Sequence, residues 1–269
     1  MNKKLVFFGI FLILFIIAIL IIHHIVAKEK TFTKIEYLIT VPSDSLFSIN
    51  TLDSFINTHC EKILNQKIDS VNRLKIQHSI EHFPYLKNVN VVYHGHTLTI
   101  KAEQEEAIAR IFNSNDDSYL IAASGRLMPV NQYCPNRILI ANGNINLPFD
   151  STLYVCADSV LKKKTIPSQL FNLYSVWKLA SYIYQDAFWR AQISQIFITD
   201  NNEIELVPTV GQHVVQFGKL DNKTHSDEVI HNKFQNLKSI YINGFSIRGW
   251  DRYQSINLKY GSEIPCQKR

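Results

Sequence analysis

The stretch Phe83-Pro84-Tyr85-Leu86-Lys87-Asn88-Val89-Asn90-Val91-Val92-Tyr93-His94-Gly95-His96-Thr97-Leu98-Thr99-Ile100-Lys101-Ala102 carries the clearest local signals in the chain. Pro84 lacks an amide donor and restricts the residue before it, so a helix arriving from the N-terminal side must stop here. Val89, Val91 and Tyr93 then alternate as in a half-buried strand. Gly95 supplies a turn, and Leu98, Ile100 and Ala102 alternate on the way back. A helix that ends on proline and runs into a hairpin predicts an α+β fold.

Upstream, Leu74, Ile76, Ile80 and Phe83 fit a helix that starts near Asp69 or Ser70. Before it, Leu52, Phe55, Ile56, Cys60, Ile63 and Leu64 recur at helical spacing behind Asn50 and Thr51, both capping residue types. Ile35, Tyr37 and Ile39 alternate as a strand. Residues 33–104 therefore predict one strand–helix–helix–strand–strand module.

Further upstream lies a run of about 18 apolar residues, Leu5 to Ile22, preceded by Lys3 and Lys4. At roughly 1.5 Å rise per residue, a helix over 5–27 crosses a hydrocarbon core of about 30 Å. A cleavable signal peptide is the competing reading. Its apolar region is shorter, about 7–15 residues, and small residues mark its cleavage site; Ile25-Val26-Ala27 fits that poorly. Basic charge is greater before the span than in Lys28-Glu29-Lys30 after it, which predicts a cytoplasmic tail of residues 1–4 and an extracytoplasmic bulk.

Downstream of residue 105, strand patterns dominate, with two helices among them. Tyr119–Ala122 and Leu127–Val130 flank the turn signal Ser124-Gly125. A long helix is predicted from Ser168 to about Ala191, with Leu170, Leu173, Tyr174, Trp177, Ala180, Tyr184 and Phe188 on one face. Ile196 and Ile198 pair with Ile204 and Leu206 across Asp200-Asn201-Asn202. A second helix follows Ser226 and uses Ile230, Phe234, Leu237 and Tyr241. In the last predicted strand, Ile256, Leu258 and Tyr260 share one face, opposite Ser255, Asn257 and Lys259.

The 269 residues are 46% hydrophobic and 19% charged, with a net charge of +5, enough core-forming content for two modest domains. The basic excess is scattered, apart from Lys162-Lys163-Lys164, and no basic stripe interleaves with aromatics, so nucleic acid is not an expected partner. Cys60, Cys134, Cys156 and Cys266 lack metal-ligand spacing. Four cysteines allow three disulfide connectivities, with Cys134–Cys156 the first to test and Cys60 on the apolar face of a helix.

One enzyme-like motif stands out: His78-Ser79-Ile80-Glu81-His82 matches H-x-x-E-H, in which two histidines bind zinc and a glutamate activates water. The motif is short for a chain with ten histidines. The helix also ends one residue later at Phe83-Pro84, in a module too small to enclose a cleft. His94 and His96 alternate at a hairpin tip, where a metal clip is the alternative to plain exposure. Asn222-Lys223-Thr224 is a glycosylation triplet of low specificity. There is no phosphate loop, nucleophile elbow or tuned carboxylate pair, so no cofactor is implied and no catalytic residue is assigned.

Four phrases in order resemble the FtsQ/DivIB family of bacterial cell-division proteins. Phe83-Pro84-Tyr85-Leu86-Lys87-Asn88-Val89-Asn90-Val91 resembles the family's proline and aromatic before a Lys-polar-Val-x-Val strand. Leu98-Thr99-Ile100-Lys101-Ala102-Glu103 running to Ala107-Ile108-Ala109-Arg110 is similar to its return strand, with Glu106-Ala107 where the family has proline. Tyr119 to Val130 resembles its Val-Asp-x-x-Gly hairpin, with Ala123 in place of the aspartate. Tyr253-Gln254-Ser255-Ile256-Asn257-Leu258-Lys259-Tyr260 resembles the closing Tyr-x-x-Val/Ile-Asp-Leu-Arg-Tyr strand. The family's contact tryptophan after this strand and its basic pair near Ser194 and Gln195 are absent.

The resemblance implies a transmembrane helix over 5–27, a polypeptide-transport-associated (POTRA) domain over 33–104 and a β domain over 105–265. It implies a non-enzymatic scaffold, single-pass in the inner membrane at the division septum, with its bulk in the periplasm. Its partners would be FtsB with FtsL, in an assembly where FtsW and FtsI make septal peptidoglycan. FtsB would add a strand to an open C-terminal edge, with Tyr260, Lys259, Ser262, Asn257 and Ser255 as contact residues. Two other readings compete. A POTRA-bearing translocation or outer-membrane assembly component would carry tandem modules and a barrel's alternating segments. A membrane-anchored zinc peptidase would use His78, Glu81 and His82.

Overall fold

In the computed structural model, the quoted stretch forms the predicted hairpin, and the helix before it stops at Glu81. The structure describes residues 12–22, 31–42, 44–115, 117–147, 168–220, 226–261 and 263–269. Lys162-Lys163-Lys164, Asn222-Lys223-Thr224 and Ser262 lie outside the described residues. Of the predicted membrane span, 12–22 form a helix (α1) with exposed side chains, and the remainder lies outside them. No helix among the described residues is long and apolar enough to cross a membrane.

The chain divides into two units: 1–41 with 47–104, and 42–46 with 105–269. The first has the order β1 (Lys34–Thr40), α2 (Ile49–His59), α3 (Arg73–Glu81), β2 (Leu86–His94) and β3 (Thr97–Gln104). Its sheet runs β1-β3-β2. β2 and β3 are antiparallel, joined through Gly95 at φ +57°, whereas β1 lies parallel to β3. Parallel pairing needs a crossover, and the two helices supply it. Leu52, Ile56, Ile76 and Ile80 are buried, as are Val91, Leu98 and Ile100 in the sheet.

The caps fall two to three residues from their predicted places. The Ser48 hydroxyl accepts from the Thr51 amide, and Asn72 Oδ1 accepts from Lys75, so α2 and α3 begin after those residues. α2 stops at His59, short of the predicted Leu64, because the Cys60 backbone turns extended.

The second unit holds a nine-stranded sheet in the order β12-β11-β10-β9-β8-β7-β4-β5-β6. Its strands are β4 (Ala107–Phe112), β5 (Ser118–Ala122), β6 (Leu127–Pro129), β7 (Leu139–Gly143), β8 (Ile193–Ile198), β9 (Ile204–Pro208), β10 (Val214–Gly218), β11 (Tyr253–Asn257) and β12 (Cys266–Lys268). The β4–β7, β7–β8 and β10–β11 pairs are parallel and the others antiparallel.

The long predicted helix breaks in two, α4 (Ser168–Gln185) and α5 (Ala187–Gln192), because Asp186 turns extended and its carboxylate caps the Phe188 amide. α6 (Ser226–Ser239) runs on into a π-helical turn, Ile240–Phe245. Leu173, Trp177, Trp189, Ile230, Phe234 and Tyr241 share one buried cluster with Ile196, Leu206, Val215 and Ile256. Within it Trp189 meets Phe234 edge-on at 4.7 Å, and Phe245 stacks on Tyr253 at 4.9 Å.

Candidate partner-binding border

The sequence predicted an open closing strand reaching Tyr260, and the structure corrects this in two ways. β11 ends at Asn257, because the Asn257 side-chain oxygen accepts the Lys259 amide at 2.9 Å. Such a side-chain turn competes with strand extension. Ile256 and Leu258 are buried, but Tyr260 lies beyond the strand with 63% of its surface exposed. The predicted shared face therefore does not extend to Tyr260.

The second correction concerns the edge. β12 lies antiparallel on the outer side of β11, pairing Tyr253 with Lys268, Ser255 with Gln267 and Ile256 with Cys266. The Asn257 amide donates to the Pro265 carbonyl at 2.9 Å, and the Arg269 amide donates to Arg252 at 3.2 Å. On its inner side β11 pairs Ser255 with Val214 and Asn257 with Gln216 of β10. Ser255 and Asn257 thus stand inside the ladder, and the border of the sheet is β12.

Lys259 is also engaged within the chain. Its ammonium lies 2.6 Å from Glu203 Oε2, both side chains about one-third exposed. Its stem runs over Gly218, where an added Cβ would meet Lys259 Cγ at 3.1 Å. A partly exposed pair of this kind contributes about 0.5 kcal/mol. Of the five predicted contact residues, Tyr260 is the one with a largely exposed side chain; Ser262 is not described.

The residues that secure the border carried no motif in the sequence. The Arg269 guanidinium reaches back to the Gln212 side-chain oxygen at 2.6 Å and the Gln212 carbonyl at 2.9 Å. Next to Gln212, His213 is 2% exposed, ringed by Tyr241, Phe245 and Trp250. Its Nε2 sits 2.9 Å from the Tyr241 hydroxyl, and its Nδ1 is buried without a hydrogen-bond partner. Burial drives the His213 pKa down to about 4. The alternation of Ile264 and Cys266 was the available signal for β12, but two positions are too few to mark a strand.

The other sequence motifs resolve as follows. His78 Nδ1 lies 3.5 Å from Glu81 Oε2, and His82 Nδ1 is taken up by the His78 carbonyl at 2.7 Å. No group of three or more metal-ligating side chains occurs among the described residues. His96 Nδ1 bonds the Thr31 carbonyl at 2.8 Å. Cys60, Cys134 and Cys266 are free, each thiol pushed up by burial; Cys156, and with it the predicted Cys134–Cys156 pairing, lies outside the described residues.

A groove of about 410 Å³ is lined by Glu106, Ala123, Ser181, Tyr184, Gln185 and Arg190. There the Tyr184 hydroxyl donates to Glu106, and burial, reinforced by that carboxylate, lifts the phenol to about 12. A phenol held neutral against a carboxylate positions the chain; it is not poised to exchange protons at neutral pH.

No curated protein matches the chain. A family model described as FtsQ/DivIB, C-terminal related, matches residues 106–267, from the start of the strand-rich unit to the middle of β12. That span covers more than half of the sequence, and with it the chain belongs to the FtsQ/DivIB-related family of cell-division proteins.

Proposed function

We propose that the chain is a non-enzymatic scaffold of the division machinery. In this reading residues 5–27 anchor it once in the inner membrane, with the N-terminus cytoplasmic. The first unit is a POTRA domain, and the bulk is periplasmic at the septum. FtsB, together with FtsL, docks as an extended strand at the C-terminal border of the nine-stranded sheet, and through this the protein helps control septal peptidoglycan synthesis by FtsW and FtsI. The observation that carries the reading is the family match through Gln267, which takes in that border. The apolar run Leu5–Ile22 supports the anchor.

The docking position differs from the one the sequence suggested. β11 is covered, so the partner meets either β12 or the strand beneath it. Tyr260, exposed at the turn after β11, is the side chain best placed to anchor it. A stiff amphipathic aromatic of this kind is worth about 2 kcal/mol or more when buried in an interface.

Capture from dividing cells, with the full chain as bait, is expected to recover two small single-span proteins. Tyr260→Ala is expected to weaken that capture about thirtyfold, while the tryptophan fluorescence of the second unit stays unchanged. Recovery of neither protein by the intact chain would end the scaffold reading; equal capture by both baits would remove Tyr260 from the interface.

A further inference from the structure

β11 and β12 are held in place by very different means. β11 is fixed by its parallel partner β10 and by Tyr253, Ile256 and Leu258, which are 8%, 0% and 3% exposed. β12 has three residues, and its pairing with β11 shifts register between Tyr253 and Ser255. Within residues 263–269, Ile264 and Cys266 pack against the core, both partly exposed, whereas Gln267, Lys268 and Arg269 are exposed and Arg269 is held by its two bonds to Gln212. A segment with so little buried apolar surface opens at far lower cost than global unfolding. If β12 leaves, β11 keeps its inner ladder and its buried side chains, and its outer amides and carbonyls stand free.

We propose that residues 263–269 are a displaceable stand-in for a partner's strand, holding the outer side of β11 shut until an extended foreign segment takes their place. The proposal rests on the scaffold reading above and assigns it a mechanism: exchange of strands on β11, not addition outside β12. β12 makes a poor platform for addition, because it is short and ends in Lys268, with Arg269 next to it, the kind of basic residues that discourage edge pairing. The occupant seen in the structure also defines what fits. A competing segment runs antiparallel to β11 and offers a carbonyl to the Asn257 amide. It carries apolar side chains two residues apart, where Ile264 and Cys266 now sit.

Three forms of the full chain in detergent separate the outcomes: intact, shortened to end at Gly261, and locked by Ser255→Cys with Gln267→Cys. Residues 255 and 267 are directly paired, within disulfide reach for facing residues of an antiparallel ladder. Two probes are used, a synthetic peptide of residues 261–269 and the co-expressed FtsB–FtsL pair. The peptide is expected to bind the shortened form and not the intact one. The pair is expected to bind the shortened form at least tenfold more tightly than the intact form. The locked form is expected not to bind the pair until reductant is added. Equal capture of the pair by all three forms overturns strand exchange. Failure of the peptide to dock on a shortened chain with native tryptophan fluorescence overturns the displaceable strand itself. A peptide that docks while no form captures the pair overturns the scaffold reading and leaves the self-pairing edge standing.

Discussion

Gly143→Ala is expected to cost about 3–5 kcal/mol and to leave the second unit largely unfolded at modest urea. Gly143 closes β7, between two parallel neighbours, and faces Ile198 of β8 in register. Its φ is +97°, a region costly for residues with a side chain, and a Cβ built there would stand 2.1 Å from the Ile198 carbonyl oxygen. The obstacle is backbone, so it cannot rotate away. Relief would require β7 to move off β8, breaking the Asn144 amide bond to the Ile198 carbonyl at 2.8 Å. Gly249 provides the control, since its φ is +90° but nothing lies within 4 Å of its Cβ position. Gly249→Ala should cost about 1 kcal/mol, the dihedral part alone. All three tryptophans, Trp177, Trp189 and Trp250, lie in the second unit, so their fluorescence in urea reads both variants. Equal midpoints for the two alanine variants would show that the contact with Ile198 is not tight.

The second large effect is an acid-side loss of stability governed by His213. Its folded pKa, about 4, lies below the ordinary value of 6.5 because burial penalises the imidazolium. An unfolded chain takes up the proton first as the pH falls. The stabilisation from keeping His213 neutral is therefore complete above about 6.5 and drains away between about 6.5 and 4. Over that window the linked loss is about 3 kcal/mol. The Tyr241 hydroxyl sits on Nε2 with aromatic rings around it, and among the described residues no carboxylate offsets the burial. His213→Gln keeps a hydrogen-bonding group toward Tyr241 but cannot titrate, so its urea midpoint should vary less between pH 7 and 4 than that of the wild type. Identical acid limbs in the two proteins would assign the loss to other groups.

How far the sequence could be read depended on how local the cause was. The hairpin Leu86–Gln104 was legible because proline, alternation and glycine lie next to one another in the chain. The helix over 168–191 was legible as a stripe, but not its break, since Asp186 sits among strong helix formers and acts through one capping bond. The closing strand was read too long, because the Ile256, Leu258, Tyr260 alternation continues past the point where the Asn257 side chain turns the backbone. The cover on β11 was illegible. A three-residue strand has almost no periodicity, and its Arg269 anchor depends on Gln212, far off in sequence. For the same reason the sequence did not foretell that Ser255 and Asn257 stand inside the ladder or that Lys259 pairs with Glu203. The family resemblance, by contrast, used phrases spread along the chain and did not depend on any single edge.

The interleaving of the two units also bears on how the protein can be cut. Pro42–Leu46 belongs to the strand-rich unit although it lies in the chain between β1 and α2 of the other, and the Leu46 carbonyl accepts the Asn131 side-chain amide at 2.9 Å. Leu46 is 2% exposed. A dissection that starts a fragment at Glu105 therefore removes a buried leucine and a hydrogen-bond acceptor from the very piece it means to isolate. Weak behaviour of such a fragment would report a missing plug, not a missing partner.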